Sequence, residues 1–190
     1  MKFKPYKIED AIKITEMYTL FTYSYDNTYV FSGETHDFWE FVCVDKGSVN
    51  ICMDDKELTL HKGEIAFHQP NEFHNVSTYS QIAPNLVVIS FKCNSPLMDF
   101  FRQRVLKIDE KERSLLAKIL VEAQNLFETP LNNPYTKEML KKKNVPVGSE
   151  QFIRMYLECF LLGLIRRYSL SEQQLQLPVT KSSADIFKRV

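Results

Sequence analysis

The stretch Glu40-Phe41-Val42-Cys43-Val44, Asp45-Lys46-Gly47, Ser48-Val49-Asn50-Ile51-Cys52-Met53 decides the fold class. Two runs rich in β-branched and aromatic residues flank a turn whose glycine supplies a positive φ, which is the pattern of a β-hairpin. Outward from it the same grammar repeats. Asp54-Asp55-Lys56 turns the chain into Glu57–His61, and Lys62-Gly63 turns it into Glu64–His68. The loop Gln69-Pro70-Asn71-Glu72 leads to strands near His74–Thr78 and Asn85–Cys93. Upstream, Ala11–Met17 alternates apolar with polar, Tyr18–Tyr25 continues in aromatics and threonines, and Asp26-Asn27 turns into a strand over Thr28–Ser32. Many short strands with a turn every 8–12 residues or so predict an antiparallel sandwich or barrel.

After Pro96 the period changes from two to between three and four. Leu97–Ile108 is expected to be a short helix. Asp109 with Glu112 has the spacing of a capping box. The helix it opens carries Leu115, Leu116, Ile119, Leu120, Ala123, Leu126 and Phe127 on one stripe and stops before Pro130. A polar connection over 131–147 follows. The next helix starts near Gly148-Ser149, runs to about Tyr168, and is apolar over more than half its circumference. One face can cover the β layer. The face left over predicts a partner helix, against the plainer reading of a helix buried within one chain. The expected organisation is therefore mainly β with α: a β unit over 1–95, a helical segment over 96–177, and a linker over 178–190.

Composition removes several function classes. Lys plus Arg is 24 and Asp plus Glu is 24, so the net charge of zero argues against a freestanding nucleic-acid binder. Lys141-Lys142-Lys143 reads better as a solvated loop than as a DNA patch. The five glycines, at 33, 47, 63, 148 and 163, never lie closer than 14 residues. Phosphate-cradling loops need them within about six, so dinucleotide and P-loop sites are excluded. Cys43, Cys52, Cys93 and Cys159 form no Cys-x-x-Cys pair and are expected as buried, reduced thiols, not as a zinc site. No apolar run approaches the roughly 20 residues of a membrane span, and the first residues are no signal peptide.

All four histidines, His36, His61, His68 and His74, fall within 39 residues of the β half. His36-Asp37-Phe38-Trp39-Glu40 followed by Gly47 forms a His-x3-Glu-x6-Gly frame. Gly63-x5-Gln69-Pro70-Asn71-x2-His74 forms a second. Together they resemble the two motifs of the cupin superfamily, over about residues 12–93. That resemblance implies a cupin-like antiparallel β-barrel, or jelly roll, whose interior holds a metal or a small molecule. Metal-binding cupins carry His-x-His before the glutamate. Here Glu34 stands at the first of those positions, and Gln69 and Asn71 replace a proline and a glycine. No metal cofactor is therefore expected; Glu34, His36, Glu40 and His74 are the candidate donors should a divalent ion such as manganese or iron be held. Without a metal, His36 and His74 are cavity groups bonding to a small ligand or to Glu40. On a straight strand His36 and Glu40 would stand about 13 Å apart, so the chain must bend at Asp37-Phe38-Trp39 for both to reach one cavity. His68 either points inward or faces solvent. His61, at a turn, is solvated. Phe38 and Tyr25 are candidates for an apolar pocket lining, with plain core packing as the alternative.

The phrase Thr35-His36-Asp37-Phe38-Trp39-Glu40-Phe41-Val42, continued by Gly63–His74, is similar to the ligand-binding domain of AraC-type transcriptional regulators. The resemblance implies an effector-binding barrel, then two or three helices that make a homodimer, then helix-turn-helix units that contact DNA. Thr180–Val190 resembles the lead-in to those units, so DNA is expected to be touched through a part outside this chain. It implies a cytoplasmic, non-enzymatic regulator with no catalytic residues. The expected ligand site is His36, Glu40, His74, Phe38, Tyr25 and His68, for a sugar or another polar organic molecule. Met1–Asp10 is expected either as an arm over the barrel mouth or as a frayed terminus. A metal-dependent cupin enzyme, of isomerase or dioxygenase type, is the main alternative, and a storage or interaction cupin with a filled cavity is a third.

Overall fold

The computed structural model describes residues 2–78 and 82–176. Nine strands make two antiparallel sheets. They are β1 (Ile14–Ser24), β2 (Val30–Glu34), β3 (Trp39–Lys46), β4 (Ser48–Met53), β5 (Lys56–His61), β6 (Glu64–His68), β7 (His74–Ser77), β8 (Asn85–Cys93) and β9 (Val105–Lys107). The five-stranded sheet has the order β1-β8-β3-β6-β9 and the four-stranded sheet the order β2-β7-β4-β5. Among the described residues the ladders stay in two facing sheets, so the expected cupin-like barrel, or jelly roll, takes the form of a two-sheet sandwich and no closed barrel is found. The β3–β4 hairpin forms as the sequence predicts, with Gly47 at φ 73°. Asn71 takes φ 66°, so it does the work of the glycine it replaces in the second motif.

Alternation along the strands divides the core in two. Trp39, Phe41, Cys43, Ile65, Phe67, Ile89 and Phe91 point to one side of the five-stranded sheet and meet the helices. Val42, Val44, Ala66, Leu86 and Val88 point to the other side and meet Val49, Ile51, Met53 and Leu60 of the four-stranded sheet. This sheet is buried on both faces, whereas β4 alternates between buried and half-buried, with one face toward solvent.

The helices are α1 (Glu110–Leu126) and α2 (Ser149–Gln176). The expected capping box is present. Asp109 accepts from the backbone of Lys111 and Glu112, and the Glu112 carboxylate accepts from the Asp109 backbone at 2.7 Å. Glu112 is buried and also receives Arg167 of α2 at 3.0 and 2.6 Å, which locks the two helices together at that end. Leu116, Ile119, Ala123 and Leu126 of α1 join Ile153, Leu157, Phe160, Leu161 and Leu164 of α2 against the sheet.

Several expectations are corrected. Leu97–Ile108 is not one helix: a 3-10 helix over Pro96–Phe101 ends where Arg102 turns extended and Gln103 takes φ 52°, and β9 then pairs with the edge of β6. The five-stranded sheet thus takes a strand from beyond residue 96. The second helix continues past Tyr168 to Gln176, and no proline or glycine stands in that added stretch. Ala11–Tyr25 is a single strand from Ile14, with two irregularities in register, and the Thr28–Ser32 strand lies two residues further on. All four cysteines are free, but only Cys43 and Cys93 are buried; Cys52 is half-buried and Cys159 exposed. Residues 2–10 carry no strand, with Phe3, Tyr6 and Ile8 exposed. The expected linker over 178–190 lies outside the described residues. Among the described residues no helix is long and apolar enough to cross a membrane.

Candidate functional site

Three cross-strand pairings build the site. The β3–β8 register sets Glu40 opposite Ser90, and β3–β6 sets it opposite His68. The β2–β7 register sets Glu34 opposite His74 after a bulge at Ser32-Gly33. Gly33 needs its φ of 105°, and a Cβ there would stand 2.4 Å from the Phe73 ring and 2.8 Å from the His74 carbonyl. Between β2 and β3 the chain bends at Asp37-Phe38, as the spacing argument requires, and brings His36 Nε2 to 3.8 Å from Glu40 Oε2.

Four donors converge. His74 Nε2 lies 3.6 Å from Glu40 Oε1 and 4.0 Å from Glu34 Oε1. Glu34, His36, Glu40 and His74 each offer an atom within 4.8 Å of the others. Both rings are fixed from behind: Nδ1 of His36 donates to the Phe38 carbonyl at 3.0 Å, and Nδ1 of His74 donates to the Glu72 carbonyl at 3.1 Å. Their Nε2 atoms are buried with no hydrogen-bond partner. Glu40 accepts from the Ser90 hydroxyl at 2.6 Å, and Ser90 in turn pairs with Thr19. Burial pushes the Glu40 carboxyl above the usual carboxylate range, against the pull of His74 and the Ser90 hydroxyl. Burial, with His74 adding to it, holds His36 down to about 4.

His68 settles on the inward alternative. It is fully buried, stacks on His74 with centroids 4.3 Å apart, and bonds Glu72 at 3.0 Å. Burial lowers His68 to about 3 and raises Glu72 to about 7. His68 therefore backs the His74 ring and is not part of the pocket lining. His61, on an exposed strand end, is exposed as expected. Phe38 does not line the pocket either. It is sandwiched between Tyr18 and His36, each at 3.8 Å between centroids, and so holds the His36 ring from outside.

Glu34, Glu40 and His74 form the polar end of a pocket of about 270 Å³ between the sheets. Tyr25 lines it, as does Val42 from β3. Tyr29, Phe31 and Tyr135 also line it and were not singled out by the sequence; Tyr135 reaches it from the connection between α1 and α2. That connection is tied to β1 by Thr22 N–H donating to Leu131 at 2.7 Å. A larger, open cleft of about 700 Å³ lies between β1 and the helices, and none of the four clustered donors lines it.

In donor type the cluster suits a divalent ion. Ligand atoms about 2.1 Å from one ion stand roughly 3.0–3.6 Å apart as neighbours and about 4.2 Å apart when opposite. The three closest carboxylate–imidazole separations, 3.6 to 4.0 Å, are at or just beyond the neighbouring range, and the whole set, within 4.8 Å, would have to draw in to hold an ion. Rings fixed through Nδ1 by backbone carbonyls with free Nε2 atoms are the arrangement that metal-binding histidines use.

Residues 18–122 match the sequence model of the AraC-like ligand binding domain. No curated protein matches the chain. Among solved structures it is similar to apo ToxT from Vibrio cholerae, with a TM-score of 0.51 and 13% identity over 83% of this chain and 59% of that one. It is also similar to the Cnp3 cupin domain of Schizosaccharomyces pombe, with a TM-score of 0.35 and 7% identity over 38% of this chain and 50% of that one. A cupin superfamily protein from Desulfitobacterium hafniense gives a TM-score of 0.33 and 15% identity over 45% of this chain and 72% of that one.

Proposed function

Because the chain belongs to the family of AraC-like ligand binding domains, we propose that it is the effector-sensing and dimerisation part of a cytoplasmic transcription regulator. A small molecule enters the inter-sheet pocket and is held at its polar end by Glu40, His74 and Glu34, with His36 completing the cluster. The observation that carries this reading is the buried, unpartnered Nε2 of His74 at the polar end of a pocket with mostly aromatic and aliphatic walls, with the equally unpartnered Nε2 of His36 beside Glu40. Buried polar groups in a finished core find partners; His68 Nε2 and Glu72 Oε2 lack one as well, behind the site, but His74 Nε2 lines the pocket, where a guest can supply it. Glu40 and His74 touch the guest; Ser90, Glu72, His68 and Phe38 orient them.

Dimerisation runs through α2. Phe152, Met155 and Cys159 follow one another at intervals of three and four residues and are exposed, Phe152 and Met155 by more than two-fifths, while Leu162, three residues further on, packs partly against the core. That is the spacing of a helix–helix seam. A typical coupling of 1–3 kcal/mol or so between pocket and dimer changes DNA occupancy about 5- to 150-fold.

A metabolite screen by thermal shift tests the sensing reading. A true 1:1 ligand at 100 times its Kd adds about 2.7 kcal/mol, and Val42→Trp, which fills the pocket, removes that gain. A ligand whose effect survives both Val42→Trp and Glu40→Gln sinks the site. Sedimentation tests the seam: Met155→Glu is expected to give a monomer, and a wild-type monomer at high concentration sinks the dimer.

The four-donor cluster also supports a second reading, a metal-dependent enzyme in which Glu34, His36, Glu40 and His74 would hold a divalent ion as Lewis acid. Stoichiometric metal in purified protein, and turnover abolished by a chelator, would replace the regulator reading.

A further inference from the structure

The polar end of the pocket gathers the carboxyl groups of Glu34 and Glu40 and the His74 ring, with His36 beside Glu40, while the hydroxyls of Thr19, Tyr25, Tyr29 and Tyr135 lie along its walls. Each ring donates its Nδ1 hydrogen to a backbone carbonyl, which cannot donate in return, so in the neutral ring each Nε2 presents a lone pair. Facing the two nitrogens are the carboxylates of Glu34 and Glu40, at 3.6 to 4.0 Å for the three closest pairs. These separations are too long for a direct hydrogen bond and short enough for one guest atom to reach several acceptors at once. Such a set repels an anion. It gives a neutral polyol only one proton per hydroxyl and no charge to offset the two acids. Behind it Phe21, Tyr25, Tyr29 and Phe31 form the wall, and aromatic faces attract cations. The lining residue of opposite sign, Lys137, is exposed.

We propose that the effector is a small primary amine, bound as its ammonium ion with N–H groups aimed at Glu40, Glu34 and the Nε2 atoms of His36 and His74. This rests on the reading of the pocket as the effector site. An alkylammonium carries three donors and a full charge to one point. Its hydrocarbon part lies along the aromatic wall. At about 270 Å³ the pocket sits just below the usual range of roughly 300–1,000 Å³ for small-molecule sites, so the amine is compact.

The test is calorimetric titration and thermal shift on the full chain, first dialysed against a chelator. The probes are butylamine and phenethylamine, their N-trimethylated analogues, butanol and 2-phenylethanol, hexanoate, xylose, and Mn²⁺ or Zn²⁺ alone. Primary amines are expected to bind. The trimethylated analogues, which keep the charge and lose every N–H, are expected to bind at least tenfold more weakly, and alcohols and hexanoate not measurably. Glu40→Gln, checked for folding by circular dichroism, is expected to weaken the amines at least tenfold. Equal binding of the trimethylated analogues overturns the donor argument. Binding of xylose or hexanoate with the amines silent overturns the amine and leaves the effector pocket standing. A metal ion that binds alone and blocks the amines overturns it in favour of an inorganic guest. If no probe binds and the wider metabolite screen is also empty, the amine and the effector reading fall together.

Discussion

On β3, Trp39, Phe41 and Cys43 face the helices, while Glu40, Val42 and Val44 face the second sheet. The helix-facing side is dry. Phe41 has no exposure and packs between Phe67, Phe91 and Phe160, with centroids 5.5 to 6.5 Å away. The inter-sheet side gives up part of that apolar burial to a carboxylate, a serine and three imidazoles. One face holds the fold together; the other keeps unpaired polar atoms, which cost stability unless something binds them. The two faces therefore answer differently to substitution.

The sharpest way to break the contrast is Phe41→Ala. It removes a fully buried ring, and a loss of about 3–5 kcal/mol is expected in urea unfolding. A loss under about 1 kcal/mol would mean that the helical side is not the stabilising one. Next comes Gly33→Ala. The added Cβ meets Phe73 and the His74 carbonyl in a backbone conformation that disfavours side chains, so a loss of about 1–2 kcal/mol is expected. Ligand affinity should fall with it, because the bulge sets Glu34 against His74; unchanged affinity would separate the bulge from the site.

The smallest effect is acid sensitivity. His36 and His68 take up protons at about pH 4 and 3 when folded and near 6.5 when unfolded. The unfolded chain therefore binds more protons over that window, and stability falls as pH drops from 6.5 toward 4. Glu72 acts in the opposite sense: its carboxyl is raised from 4.5 to about 7, so it favours the folded state as pH drops through that range. The urea midpoint should fall from pH 7 to 4.5, and fall more steeply in Glu72→Gln. An equal slope in the variant would deny Glu72 that offsetting role.

Much of the fold was legible because strands and caps are local. Gly47 and Asn71 announced their turns, Asp109 with Glu112 announced the start of α1, and the strands Glu64–His68 and Asn85–Cys93 fell where alternation put them. β9 was missed because Val-Leu-Lys is too short to carry a period, and it exists only by pairing with β6. In the site, Glu40 and His74 stood in motifs. Ser90 had a signal that went unused, a hydroxyl inside the apolar run Leu-Val-Val-Ile-Ser-Phe. Tyr135 had none, because its place over the pocket depends on how the long connection folds back across β1. Phe38 was assigned by type to the lining, and only the bend beside it turns the ring outward to brace His36.

Phe41 touches Phe160 on α2, and Val42 lines the pocket. A single peptide bond thus joins the chamber to the helix proposed to meet a twin. No relay of intermediate residues is needed between them. A guest that tilts this strand pushes on the helix directly, as the short arm of a lever moves the long one.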